Sequence, residues 1–222
     1  MHLVVSGSPA VAAAGRIAFR LRDAVRRRGT ASLALSGGST APPMIAALLE
    51  RPLPWGRVDV WQVDERVAPD GDEDRNANQL AELRERCRVH PMPVTATDLR
   101  SAARRYGTGL PGRFDVVHLG VGDDGHTASW PPGRPEVPTS NRPVELVDEF
   151  HGRPRMTLTQ RIVNGGRSRV VLVAGAQKRP IVERWLLRDA ALPITRVRRT
   201  ATWVFLDEAA APDAPLRLAS EP

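Results

Sequence analysis

Residues 119–130 read LGVGDDGHTASW, a glycine-rich turn holding one histidine directly after the apolar run FDVVHL. Gly120, Gly122 and Gly125 permit a tight loop that approaches a ligand closely. Asp124 can orient the imidazole of His126, and an imidazole so placed serves as a general base near neutral pH. A second cluster, SGGST, puts Ser36, Gly37, Gly38, Ser39 and Thr40 between a strand candidate and a helix start, where backbone N–H groups converge on an anion such as phosphate. A plain strand-to-helix turn with a hydroxyl cap is the other reading of that stretch. The third cluster is Asp64, Glu65 and Arg66 at the end of VDVWQV. Arg66 there either clamps a phosphate with two hydrogen bonds or makes an ordinary ion pair with a neighbouring carboxylate. In the fourth, VAGAQK, Gly175 ends a strand and Lys178 opens a helix. Lys178 is the only lysine among 32 basic residues. Either a compact ammonium is needed at that point, or one lysine has survived by chance.

These clusters need elements that bring them together. Apolar residues at helical spacing predict a helix over 8–28, stopped by Gly29, and further helices from Pro42, over 76–86, 97–106 and 177–188. Short apolar runs predict strands at 31–36, 58–64, 114–119, 168–175 and 200–206. Alternating strands and helices imply an α/β, single-domain, three-layer Rossmann-like fold over 1–222, its mainly parallel sheet carrying helices on both faces. Ligands then bind at the carboxyl ends of the strands, where all four clusters fall. The proline-rich stretch 130–143 reads as a surface loop.

Composition narrows the function classes. The net charge is +7, but the arginines are scattered, with runs only at Arg26–Arg28 and Arg196–Arg199, so no nucleic-acid partner is expected. No apolar run is long enough to span a membrane, and no basic region precedes an apolar one at the N-terminus, so a cytoplasmic location is expected. Cys87, the one cysteine, reads as a partly buried helix thiol. No pair of His or Cys has metal-ligand spacing, and GVGDDG is not followed by an amphipathic helix, so neither metal nor dinucleotide is expected.

Taken in order, SGGST, VDERV with Asn76 ten residues beyond Arg66, LGVGDDGHTAS, PRMTLT, VAGAQK and TWVFLDEAA resemble the 6-phosphogluconolactonase family over nearly the whole chain. GxGxDGHTAS is the most specific piece. The resemblance implies a fold like that of the glucosamine-6-phosphate deaminases and sugar-phosphate isomerases. It implies hydrolysis of 6-phospho-D-glucono-1,5-lactone without a cofactor, with a sugar-phosphate lactone as partner and a monomer or weak homodimer as assembly. His126 would be the base and Asp124 its orienting partner. Ser36, Gly37, Gly38, Ser39, Thr40, Arg66 and Lys178 would bind the phosphate, with Asp64, Glu65, Gly122, Gly125 and Arg155 also lining the substrate site. Asp123 stands where many relatives have Pro, and Arg75 where Ser is common. SWPPG follows in place of the usual aliphatic-aromatic pair. The alternatives are an amino-sugar-phosphate isomerase or deaminase and a non-catalytic sugar-phosphate sensor. The first places a Glu five residues past its histidine, where this chain has Pro131, and carries DEY where this chain has DER. The second usually adds a DNA-binding segment, and the residues before SGGST hold a single helix pattern.

Overall fold

Short apolar runs bounded by glycine, proline and charge are too brief for stable helices, and the amphipathic stretches between them supply the cover. The computed structural model describes residues 1–213; residues 214–222 of the expected domain span lie outside the described residues. In chain order β1 (His2–Val5) is followed by α1 (Pro9–Arg28), β2 (Ala31–Leu35), α2 (Ala41–Leu49), β3 (Val58–Gln62), β4 (Asp64–Arg66), α3 (Ala81–Arg84) and β5 (Arg88–His90). Then come α4 (Leu99–Gly109), β6 (Val116–Leu119), α5 (Glu136–Thr139), β7 (Val144–Phe150), β8 (Arg153–Leu158), α6 (Gln160–Gly165), β9 (Arg169–Val173), α7 (Arg179–Leu186) and β10 (Thr202–Leu206).

Seven strands form one parallel sheet in the order β1-β10-β9-β6-β2-β3-β5. Both its faces are covered, as parallel sheets require. Val117, Leu119, Val171 and Val173 point into one core with Trp61, Phe114, Trp130 and Trp185. Val116, Val170 and Leu172 point into the other, against Ile17 and Leu21 of α1 and Met44 and Leu48 of α2. Helix α1 ends as expected at Gly29, whose left-handed φ of 79° lets its N–H reach the Val25 carbonyl at 2.8 Å.

The strand order places β2 and β6 side by side while their outgoing connections run to opposite sides of the sheet. That is the switch point at which such sheets open a crevice. The residues following β2 are SGGST and those following β6 are GVGDDGH, so topology alone brings the two clusters together.

Several expectations are corrected. The predicted strand over 58–64 breaks at Val63, whose N–H donates to the Leu35 carbonyl of the parallel sheet while its own carbonyl accepts from Leu158 N. Beyond Val63 the chain enters a second, antiparallel sheet, β4-β8-β7, that the sequence reading did not foresee. The stretch 130–143 is a surface loop only in part: it includes the single helical turn α5, Trp130 and Val137 are buried, and the Trp130 indole N–H donates to Leu158 O at 2.8 Å. The helix expected over 76–86 is a 3₁₀ turn, Asn76–Leu80, running into the single turn of α3. Cys87 lies just past that turn; its thiol donates to Leu83 O, and burial, helped by the charge of Asp59, pushes it up to about 11.

Candidate active site

The crevice at the switch point is a cavity of about 170 Å³. Ser36, Gly37, Gly38, Ser39, Thr40, Asp64, Arg66, Gly122, His126, Arg155 and Lys178 line it, so residues up to 142 positions apart in sequence meet there. Of the expected site residues, Glu65, Asp124 and Gly125 do not line the cavity.

The turn after β6 owes its shape to its glycines. Gly122 N donates to the His126 carbonyl and Gly125 N to the Gly122 carbonyl, closing the loop on itself. A Cβ at Gly122 would sit 2.0 Å from His126 Nδ1, so any side chain there would expel the ring. Gly125 adopts φ +81°, and a Cβ on it would press on Leu192. Because both amides are spent inside the turn, neither is available to donate to an oxyanion.

The imidazole so held has one occupied and one open nitrogen. His126 Nδ1 lies 2.5 Å from Asp124 Oδ1, which also accepts the His126 backbone N–H at 3.0 Å. Among the described residues, Nε2 makes no hydrogen bond, and His126 borders the cavity. Burial alone would raise Asp124. The hydrogen bonds from the His126 ring and backbone, with the charges of His126 and His151, outweigh it and hold the carboxyl well below the usual carboxylate range. Asp124 is therefore ionised throughout the neutral range and keeps Nδ1 protonated, leaving Nε2 as the basic nitrogen.

The opposite wall is suited to an anion. Thr40 precedes α2 without a side-chain capping bond, so the hydroxyl-cap reading of SGGST fails and its hydroxyl is uncommitted among the described residues. Arg66 does not pair with Asp64 or Glu65. Its Nη1 donates at 2.6 Å to both Asn76 Oδ1 and the Asp74 carbonyl, while its buried Nε has no partner among the described residues. Arg155 donates Nε to the Phe150 carbonyl and lies over the Phe150 ring at 5.1 Å. Burial, reinforced by the charge of Arg66, lowers its guanidinium from the usual value. Lys178 Nζ sits 2.6 Å from Asp123 Oδ1. Among the described residues three cations thus border one cavity whose lining holds a single carboxylate, Asp64. Even that one is engaged, accepting from Ser129 Oγ at 2.7 Å and Ser36 Oγ at 3.4 Å, which ties the β2 and β6 loops together.

Glu65 is the clearest departure from expectation. It is fully buried, and its oxygens accept from the backbone N–H groups of Arg66, Asn76 and Ala77 and from Gln62 Nε2, each at 2.8 Å. Arg75 Nε adds an ion pair at 3.2 Å and reaches on to Asp70. No oxygen is left for a ligand; Glu65 instead fixes Arg66 and Asn76 against the cavity. Arg75 supplies the counter-charge that lets a carboxylate sit there.

The sequence reading missed His151 altogether. It occupies the turn between β7 and β8 at φ +53°, with Nε2 3.5 Å from Asp124 Oδ2 and its ring 5.4 Å from that of His126. Its signal was the His-Gly pair between two strand-like runs, VELVDEF and RPRMTL, a hairpin mark.

Comparison with known proteins gives a consistent result. A family model described as glucosamine-6-phosphate isomerases/6-phosphogluconolactonase matches residues 8–206. A protein named 6-phosphogluconolactonase from Synechocystis is 36% identical over 178 residues, covering 73% of this chain and 74% of that protein. The crystal structure of a 6-phosphogluconolactonase from Shewanella baltica superposes with a TM-score of 0.84 at 26% identity, covering 93% of this chain and 96% of that one. A monomeric glucosamine-6-phosphate deaminase superposes with a TM-score of 0.79 at 17% identity, covering 95% and 98%, a likeness of fold alone.

Proposed function

The chain belongs to the glucosamine-6-phosphate isomerase/6-phosphogluconolactonase family, and from that premise we infer that it is a lactonase, hydrolysing 6-phospho-D-glucono-1,5-lactone to 6-phosphogluconate in the oxidative pentose phosphate pathway. The observation that carries this reading is the pairing, across one cavity, of an Asp124-oriented imidazole with a cationic wall that has no free carboxylate.

A lactone is already an activated ester, so catalysis needs a positioned water and a proton acceptor. The phosphate binds among the SGGST loop, Arg66 and Lys178, fixing the lactone carbonyl near His126. His126 Nε2 removes a proton from water as its oxygen bonds to the carbonyl carbon. Asp124 stabilises the imidazolium that results. When the tetrahedral intermediate collapses, the bond to the ring oxygen breaks and the imidazolium returns its proton to that oxygen. General-base assistance of this kind contributes ~10²- to 10⁴-fold, and fixing the substrate by its remote dianion supplies further rate through orientation. Ring opening and deamination of an amino sugar call for an additional free carboxylate, and Pro131 fills the position where that branch carries one. We assign the reaction to a single catalytic domain spanning 1–222, acting in the cytoplasm without nucleic acid or cofactor, as a monomer or weak homodimer.

The test is acid release from freshly prepared 6-phosphogluconolactone, measured against spontaneous hydrolysis. The enzyme will accelerate it, and glucosamine 6-phosphate will yield no ammonia. Ammonia formation at a comparable turnover would overturn the assignment.

Asp123 adds a second expectation. Its carboxylate occupies the Lys178 ammonium that the substrate phosphate needs, so binding must displace an ion pair whose acidic partner is largely exposed. Asp123→Asn will therefore lower KM by up to about fivefold, the worth of an exposed pair, with kcat unchanged. A raised KM would mean that Asp123 holds Lys178 in its productive place.

A further inference from the structure

Asp124, His126 and His151 come from two turns, one after β6 and one between β7 and β8, and their ligand atoms lie within 4.8 Å of one another. Two imidazoles and a carboxylate are a donor set for zinc and its neighbours among the divalent transition ions. We propose that these three side chains form an inhibitory site for a zinc-class cation, distinct from the phosphate cradle, which switches off the base without entering the substrate cavity.

The spacing supports such a site. Zinc bonds of ~2.0–2.2 Å in a tetrahedron put neighbouring ligand atoms roughly 3.3–3.6 Å apart. The Asp124 Oδ2 to His151 Nε2 separation is already 3.5 Å. The Asp124 Oδ1 to His126 Nδ1 contact at 2.5 Å must open by about 1 Å to admit the ion, a rocking of two side chains. His151 is held for the task. Its turn combines its own positive φ with that of Gly152, and its ring lies 4.2 Å from that of Phe150, which in turn packs edge-on against His126 at 4.9 Å. With more than half of its side chain exposed, His151 leaves the fourth position open to water.

The consequence for catalysis follows from imidazole chemistry and rests on the assignment of His126 as the base. In the free enzyme Nδ1 carries the proton, given to Asp124, and Nε2 accepts. A cation on Nδ1 replaces that proton, and the one proton of the neutral ring then resides on Nε2. The nitrogen facing the cavity becomes a donor and cannot deprotonate water. Zinc therefore lowers kcat while leaving the KM for the phosphorylated lactone nearly unchanged, because Arg66, Lys178 and the SGGST loop are untouched.

The discriminating variant is His151→Asn. Asparagine tolerates positive φ, so the hairpin turn is kept, but its amide is a poor zinc ligand. Calorimetric titration with Zn²⁺, with Co²⁺ absorption as an independent sign of tetrahedral coordination, will give one site per wild-type chain. The variant will bind at least tenfold more weakly, and its kcat relative to its own chelator-treated form will be correspondingly less sensitive to added Zn²⁺. Equal zinc affinity in the two proteins, or no saturable binding by wild type, would overturn the site. Binding that depends on His151 but leaves kcat intact would overturn the inhibitory role, whereas the assignment of His126 as the base is decided separately by His126→Gln.

Discussion

His126→Gln will lower kcat for 6-phosphogluconolactone by about 10²- to 10⁴-fold, the usual contribution of a general base, with KM little changed. Glutamine preserves the size of the side chain and can still donate to Asp124, so the turn between Gly122 and Gly125 keeps its form; what is lost is an acceptor for the proton of water. Asp124 stays charged through the range in which activity is measured, since its carboxyl titrates well below the usual carboxylate range. Stability contributed by that depressed carboxyl is likewise complete at neutral pH and is lost only as pH falls through and below the ordinary carboxylate range. Asp124→Asn will also be damaging, because the ring loses the charge that stabilises its protonated form. A near-normal kcat in His126→Gln would remove the base assignment.

Arg66→Ala will raise KM for the phosphorylated lactone by roughly 10- to 100-fold, as expected for loss of a charged hydrogen-bond partner worth about 1.5–3 kcal/mol. Arg66 lines the cavity and makes no ion pair with a carboxylate among the described residues, so its charge is available to the phosphate. Arg66 also holds Asn76 and the Asp74 carbonyl, and truncation therefore disturbs structure as well as binding. Unphosphorylated gluconolactone separates the two effects. A loss confined to the phosphorylated substrate marks phosphate recognition, and equal losses on both would reduce Arg66 to a structural role.

The parallel sheet and the strand-end clusters were legible in the sequence because runs such as FDVVHL and SRVVLV carry consecutive apolar residues, Val116–Val117 and Val170–Val173, where an alternating strand would carry every second one, the pattern of strands buried on both faces. What escaped has identifiable causes. Strands β1 and β5 have four and three residues, too few to display any period. In β7 a register irregularity between Val147 and Phe150 breaks the alternation that would have announced an antiparallel hairpin. Glu65 was misassigned because Asp64, Glu65 and Arg66 were read as one group at a strand end. In a strand, alternate side chains face opposite sides. Asp64 and Arg66 therefore share the cavity face while Glu65 turns inward, a conclusion that was available once the tripeptide was taken as a strand. His151 could not be placed without the hairpin that carries it over the β6 turn.

At the outer edge of the parallel sheet, β1 lies beside β10, with His2 opposite Trp203 and Val5 opposite Leu206. Nearly the whole described chain lies between these partners, so their pairing carries a high loop-closure cost until the intervening strands are in place. Prior assembly of the intervening strands shortens the effective loop and so lowers that cost. With a neighbour on one side only, the β1 amides will exchange with solvent sooner than those of β9 or β6. The strand that precedes every other described strand in the chain is thus the one whose place is decided last.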